Sequence, residues 1–170
     1  YGIGVYRGDG TFLYGTFNST SGGNKGYNVG TAILYSGTVA AASEGVNLGI
    51  PSVAISTTWA NYPTATEKLD EILSYFREHD LFSIHTLYNV NIPTETKGIR
   101  ITRQGGHFYS DDFIHEGNDM YMPHGKCVYQ DSGELILDTD CVMHGYISIM
   151  PMDIRRNDLS VFAQLKELQE

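Results

Sequence analysis

The sequence predicts an α/β fold, with a mainly parallel sheet and helices on both of its faces. Three observations carry that expectation. Short apolar segments at 51–56, 87–93 and 98–103 alternate with stretches of helical character at 38–48 and 64–76. The first helical stretch opens on small residues, Val39 to Ala42, which allow close packing against a sheet. Between 105 and 138 the pattern changes to aromatics and turn residues without helical period, as in a long β-hairpin leaving the sheet.

Taken in order, the elements have local causes. Residues 11–17 (TFLYGTF) place aromatic and β-branched residues around a glycine, as a strand or hairpin arm does. Residues 21–30 form a loop of Gly and Asn, and 33–35 are briefly apolar. The helix at 38–48 ends at Gly49, and 51–56 is a short buried strand. Residues 57–63 are loop-like and hold Trp59, which serves either as a core or interface residue or as a base-stacking platform. Thr64 with Glu67 reads as a capping box, and Leu69, Ile72, Leu73 and Phe76 then share one helical face. Strands follow at 87–93, 98–103 and 145–152. Asp158 caps a C-terminal helix within 157–170, with Leu159, Phe162, Leu165 and Leu168 on one face.

The stretch from Ser21 to Gly49 carries the chemistry. Asn24, Gly26, Asn28 and Gly30 alternate in a loop, and Ser36-Gly37-Thr38 begins the helix. Glycines let a backbone approach a ligand closely, while Asn offers an oxygen to a hard cation or an amide to an anion. Ser-Gly-Thr at a helix start leaves N–H groups and hydroxyls facing outward, a common way to hold phosphate. Together they point to a phosphate and a metal side by side. The same residue types also make ordinary turns followed by an N-cap, and the sequence leaves both open.

Composition bounds the partners. At 170 residues one domain, 1–170, is expected, with 41% hydrophobic and 18% charged residues in the globular range. Nineteen glycines and twelve tyrosines fit many strands and tight turns. A formal charge of −9 argues against duplex nucleic acid, which is gripped mainly by Lys and Arg, but leaves mononucleotides open. No apolar run approaches the roughly 18 residues of a membrane span, and 1–20 lacks the layout of a signal peptide. Cys127 and Cys141 read as two free thiols of a cytoplasmic protein.

Other constellations are weaker. Six histidines are scattered without H-x-H or H-E-x-x-H spacing, so surface positions account for them better than a metal site. Asp111-Asp112 follows no buried strand and reads as a solvated pair. Ser36 lacks a G-x-S-x-G elbow, so a phosphate-binding hydroxyl suits it better than a nucleophile.

The residues also resemble a known family. The pattern S-G-x-N-x-G-x-N-x-G at 21–30, then Y-S-G-T-V-A-A-A-x-E-G at 35–45, resembles the SurE (survival protein E) family of divalent-metal-dependent nucleoside monophosphate phosphatases. Ordered blocks at 49–56 (GIPSVAIS), 89–93 (NVNIP), 97–105 (KGIRITRQG) and 145–151 extend it over most of 21–170. The resemblance implies a Rossmann-type three-layer sandwich with 105–138 as an oligomerisation arm and C-terminal elements exchanged between subunits. It implies Asn24 as a metal ligand, Asn28, Ser36, Gly37 and Thr38 as phosphate holders, and Mg²⁺ or Mn²⁺ as cofactor. The substrates it implies are nucleoside 5′- or 3′-monophosphates, within a dimer or tetramer. Thr31-Ala32 stand where many members carry acidic residues. The front, 1–20, is atypical. The family opens with a strand running into N-D-D-G, whose two aspartates provide a metal ligand and the catalytic carboxylate. Here 3–10 reads IGVYRGDG, with Gly8 in place of the first aspartate and Asp9 as the surviving carboxylate. That departure keeps a non-catalytic, phosphate-binding relative, or a purely structural oligomer, as the alternative.

Overall fold

A computed structural model describes residues 5–6, 12–13, 26–58 and 61–168, apart from the side chains at 5, 6, 12, 13, 62, 111 and 123. Asp9, Asn24 and Trp59 lie outside the described residues. Two-residue strands β1 (Val5–Tyr6) and β2 (Phe12–Leu13) pair antiparallel. A 3-10 helix, Gly30–Tyr35, leads into α1 (Gly37–Asn47), β3 (Ser52–Thr57), α2 (Tyr62–Glu78), the single turn α3 (Leu81–Ile84) and β4 (Leu87–Ile92). Then come β5 (Ile99–Ile101), the hairpin β6 (Tyr109–Gly117) and β7 (Met120–Cys127), α4 (Asp138–Met143), β8 (Ile147–Pro151) and α5 (Leu159–Lys166).

The central sheet has the order β3-β4-β8-β5. β3 runs parallel to β4 and β5 parallel to β8, while β4 and β8 meet antiparallel. The expected α/β architecture is present, with its mainly parallel sheet reversed at one internal pairing. Every residue of β4 is buried, because both faces of that strand are covered. On one face α2 lays Ala65, Ile72 and Phe76 against Tyr88, Val90, Ile92, Ile147 and Ile149. On the other, Val39 and Ala42 of α1 meet Ala54, Leu87 and Met150. A helix of small residues sits here because α1 runs very close to β3: a Cβ at Gly45 would collide with the Ser52 hydroxyl.

Two local expectations need correction. The 33–35 segment is not extended but belongs to the 3-10 helix. Thr64 does not cap α2, which starts at Tyr62 with Pro63 in its first turn. Proline's fixed φ suits that position. The preceding Asn61 does not cap the helix with its side chain, but spends its amide on Thr57 Oγ1 and the Pro93 carbonyl, both at 2.9 Å.

The hairpin β6–β7 falls within 105–138, and its base rests on a cluster of Val29, Phe108 and Val142 with Tyr27, Tyr109 and Tyr129. Asp158 caps α5 through the Ser160 and Val161 amides, at 2.9 and 3.0 Å. α5 buries none of its side chains. No described helix is long and apolar enough to cross a membrane.

Candidate functional site

The face of the sheet under α1 changes character along its length. Towards the start of β4 it is apolar, with Leu87, Ala54 and Met150. Towards the end of β4 it becomes polar: Asn89 and Asn91 are 0% exposed, and strand register places Ser56 and Ser148 beside Asn91. Thr102, just past β5, joins this layer through a hydroxyl–hydroxyl bond to Ser148 of 2.8 Å. Buried polar groups of this kind are retained when they find partners.

Their chief partner is the loop at Asn28. The Asn28 N–H donates to Asn91 Oδ1 at 2.8 Å, and the Asn28 carbonyl accepts from Asn91 Nδ2 at 3.0 Å and Asn89 Nδ2 at 2.7 Å. The Asn28 side chain donates through Nδ2 to Ser56 Oγ at 2.6 Å. Just beyond, the Gly30 N–H donates to Asp138 Oδ2 at 2.9 Å, and Gln104 Nε2 donates to the Gly30 carbonyl at 3.0 Å. The Thr31 N–H donates to the Gly106 carbonyl at 3.2 Å. Gly30 has φ +53° and faces that same carbonyl so closely that a Cβ would overlap it. Only glycine fits both demands. Asp138 also takes the Gly105 N–H at 2.7 Å; burial raises its carboxyl above the usual value despite these amide donors.

The 3-10 helix carries the chain from this anchor to Ser36. Ser36 caps α1, its Oγ accepting the Val39 N–H at 3.1 Å. Gly37 and Thr38 occupy the first helical positions, where N–H groups have no intrahelical acceptor. Thr38 is 1% exposed, and its Oγ1 has no hydrogen-bond partner. A helix N-terminus with a positive dipole end beside a buried hydroxyl of this kind is an arrangement that can hold an anion. Ser36 lines a groove of about 730 Å³ together with Arg103, Arg155 and Arg156 and with the carboxylates Glu44 and Asp153. In a chain of formal charge −9, three arginines against two carboxylates leave this groove slightly positive. Arg155 is held by Asp153 in an ion pair of 2.8 Å, and Arg103 lies 3.5 Å from Glu134.

The structure therefore sets Ser36, Gly37 and Thr38 at one helix start and anchors Asn28 on the sheet at the far end of the intervening turn. Asn89, Asn91 and Asp138 were not among the sequence candidates. Asn89 and Asn91 are legible only as part of a strand, and Asp138 lies 108 residues from the glycine it holds. For a metal ion the described residues do not provide a fit. They contain no group of three or more His, Cys, Asp or Glu side chains arranged to hold one, and the carboxylate nearest the loop, Asp138, is occupied by amide donors. Nor is a thiol available for chemistry here: Cys141 is buried and its thiol is pushed up to about 12 by that burial.

Comparison with known proteins converges on one family. The family model described as Survival protein SurE matches residues 19–111, more than half of the chain. The 5'-nucleotidase SurE of Desulfitobacterium hafniense is 37% identical over 163 residues, covering 88% of this chain and 60% of that protein. The protein of the same name from Kosmotoga olearia is 39% identical over 160 residues, covering 86% and 62%. The crystal structure of the SurE protein from Aquifex aeolicus superposes with a TM-score of 0.63 at 30% identity, covering 92% of this chain and 65% of that one. The chain spans about 60% of the length of the curated relatives it matches. With this sheet, this helix start and this loop in place, the chain belongs to the SurE family.

Proposed function

We propose that this chain is the core of a phosphomonoesterase that hydrolyses nucleoside 5′- or 3′-monophosphates to nucleoside and phosphate. The observation that carries the proposal is the start of α1. Three residues there, Ser36, Gly37 and Thr38, offer a hydroxyl, first-turn amides and a buried hydroxyl without a partner, and Ser36 also lines a groove with Arg103, Arg155 and Arg156. The names of the relatives, 5'-nucleotidase SurE, support the same reading.

In this proposal the phosphoryl oxygens lie at the α1 start, where the Gly37 and Thr38 amides and the Thr38 and Ser36 hydroxyls hold the charge that grows in the transition state. Asn28 fixes the edge of the site, and its backbone is immobilised by β4. A water oxygen bonds to phosphorus, the ester P–O bond breaks, and the leaving nucleoside oxygen takes a proton. Asp9 is the carboxylate assigned to activate that water. Asn24 and Asp9 are assigned to a divalent cation, Mg²⁺ or Mn²⁺, on the strength of the sequence pattern; it would supply positive charge beside the phosphate. A cytoplasmic setting fits a chain whose described cysteines form no disulfide. Homo-oligomer formation, through the β6–β7 arm and α5, fits their exposed apolar side chains.

One observation favours a second reading. The segment that should supply two adjacent aspartates is R-G-D-G here, with Gly8 in the first position. A relative lacking one carboxylate binds phosphate without turning it over.

One experiment separates them: hydrolysis of AMP and of p-nitrophenyl phosphate by the purified chain, with and without Mn²⁺, alongside inorganic phosphate binding by calorimetry. The enzyme proposal expects metal-stimulated turnover that Asn24→Ala and Ser36→Ala each lower by at least about tenfold. Phosphate binding without turnover selects the binding relative. Neither turnover nor binding sinks both.

A further inference from the structure

We infer that Asn91 is a positioning residue for the phosphate site: its carboxamide fixes the peptide of Asn28 so that the loop enters the site in one register. This inference rests on the phosphate reading of the α1 start and of Asn28.

The geometry is that of a ladder partner supplied by a side chain. Asn91 Oδ1 takes the Asn28 N–H and Asn91 Nδ2 gives to the Asn28 carbonyl, so one carboxamide satisfies both main-chain groups of one residue. The amide orientation is fixed by these partners, because a flipped side chain would oppose donor to donor and acceptor to acceptor. Asn89 adds a second donor to the same carbonyl. Its own Oδ1 is left buried without a partner, so local satisfaction has been given up to reach Asn28.

The cost of this arrangement argues that it serves the loop rather than the strand. β4 is apolar on its α2 face, where Val90 and Ile92 are 0% exposed, and at its start on the α1 face, where Leu87 packs. Apolar side chains at 89 and 91 would suit such a strand better than two amides that must be desolvated. Two asparagines there make sense because a loop backbone lies against them and needs partners that a strand edge does not provide. Asp138 performs the complementary task two residues later by taking the Gly30 N–H. The main chain at 28 and 30 is thereby held from β4 on one side and from α4 on the other. The Asn28 side chain, bonded to Ser56, is fixed in turn. A binding group placed on a held peptide loses less freedom when its ligand arrives.

Asn91→Asp provides the discriminating test, with inorganic phosphate as the probe. The aspartate keeps the shape. When ionised it accepts from the Asn28 N–H but repels the Asn28 carbonyl. When protonated it donates to that carbonyl and reproduces the carboxamide. Burial raises the pKa of such a group, so the change falls in an accessible range. Relative to the wild type at each pH, Asn91→Asp should bind phosphate about tenfold more weakly near pH 7.5 and recover towards the wild type near pH 5. Asn91→Leu should stay weak throughout, with lost hydrogen-exchange protection at the Asn28 amide. Ser52→Ala, on β3 with its hydroxyl bonded to the Ile50 carbonyl, should leave affinity unchanged. A wild type that binds phosphate, with Asn91→Asp and Asn91→Leu binding equally well, overturns the positioning role alone. A wild type that binds no phosphate overturns the phosphate reading, and this role with it.

Discussion

Thr38 is where the competing demands of folding and binding meet in one atom. Its hydroxyl is buried beneath the first turn of α1 with no hydrogen-bond partner, which costs about 1–3 kcal/mol in the empty protein. Thr38→Val keeps the shape and removes that debt. We expect the variant to be about 1 kcal/mol more stable in urea denaturation without ligand, while phosphate affinity falls several-fold. A gain in stability with undiminished binding would mean that the hydroxyl faces away from the anion. The helix start was legible in the sequence because Ser-Gly-Thr before small residues has a local cause, the N-cap, and α1 begins within one residue of the expected place. Asn89 and Asn91 could not be read in the same way. A strand sequence shows which residues share a face, but the loop that lands on that face is decided by the tertiary fold.

Among the elements, α4 was the least legible. It has six residues, too few for a helical period to show, and its causes are remote contacts of its first-turn carboxylates. Asp138 reaches Gly30 and Gly105. Asp140 gathers the 132–134 turn, its Oδ2 accepting from the Ser132 N–H, the Ser132 hydroxyl and the Glu134 N–H at 3.1, 2.6 and 3.0 Å. Burial pushes the Asp140 carboxyl up, but these donors outweigh it and hold the group below its ordinary value of 3.8. The sign of the pH dependence follows. A carboxyl whose folded pKa is lowered adds stability that is complete above 3.8 and is lost as pH falls through the lower folded value. Asn at this position keeps one acceptor oxygen and loses the charge. Asp140→Asn should therefore cost about 1–2 kcal/mol at neutral pH, and in urea titrations the gap to the wild type should narrow as pH is taken below 3.8. A gap that stays constant across that range would assign the cost to shape instead of charge. The misplaced start of α2 has a related origin. Thr64 and Glu67 meet the local rule for a capping box, but Pro63 already fits the first turn and Asn61 is claimed by Thr57 and Pro93 across the sheet.

At the scale of the whole molecule, the sheet and its two helical layers are packed, whereas two elements stand without a covered face. The β6–β7 hairpin exposes Phe113, Ile114, Met120, Tyr121 and Met122, and α5 exposes Leu159, Phe162 and Leu165. Neither element is stable by itself. A lone two-stranded hairpin is marginal in water, and an isolated helix of eight residues is far below the length that holds without packing. Within one copy no described surface covers these apolar side chains, and the proposed homo-oligomer would cover them with the same two elements of a second copy. We expect light scattering to give a mass that is a multiple of 18.9 kDa, with a melting temperature that falls on dilution because folding of the arm and tail is coupled to association. The paired change Phe113→Glu with Leu165→Glu places charges in both contacts and should yield a monomer. Its central sheet should survive, since neither residue touches the buried clusters of the sheet. The same variant should keep phosphate affinity within about twofold, because the α1 start and the Asn28 loop draw all their described partners from within one chain. A wild type of 18.9 kDa whose melting is independent of concentration would rule out the oligomer. It would also require α5 and the arm to be held by some other partner. If the paired variant is monomeric and loses phosphate as well, the anion site depends on the neighbouring subunit, and the groove beside Ser36 is completed across the interface.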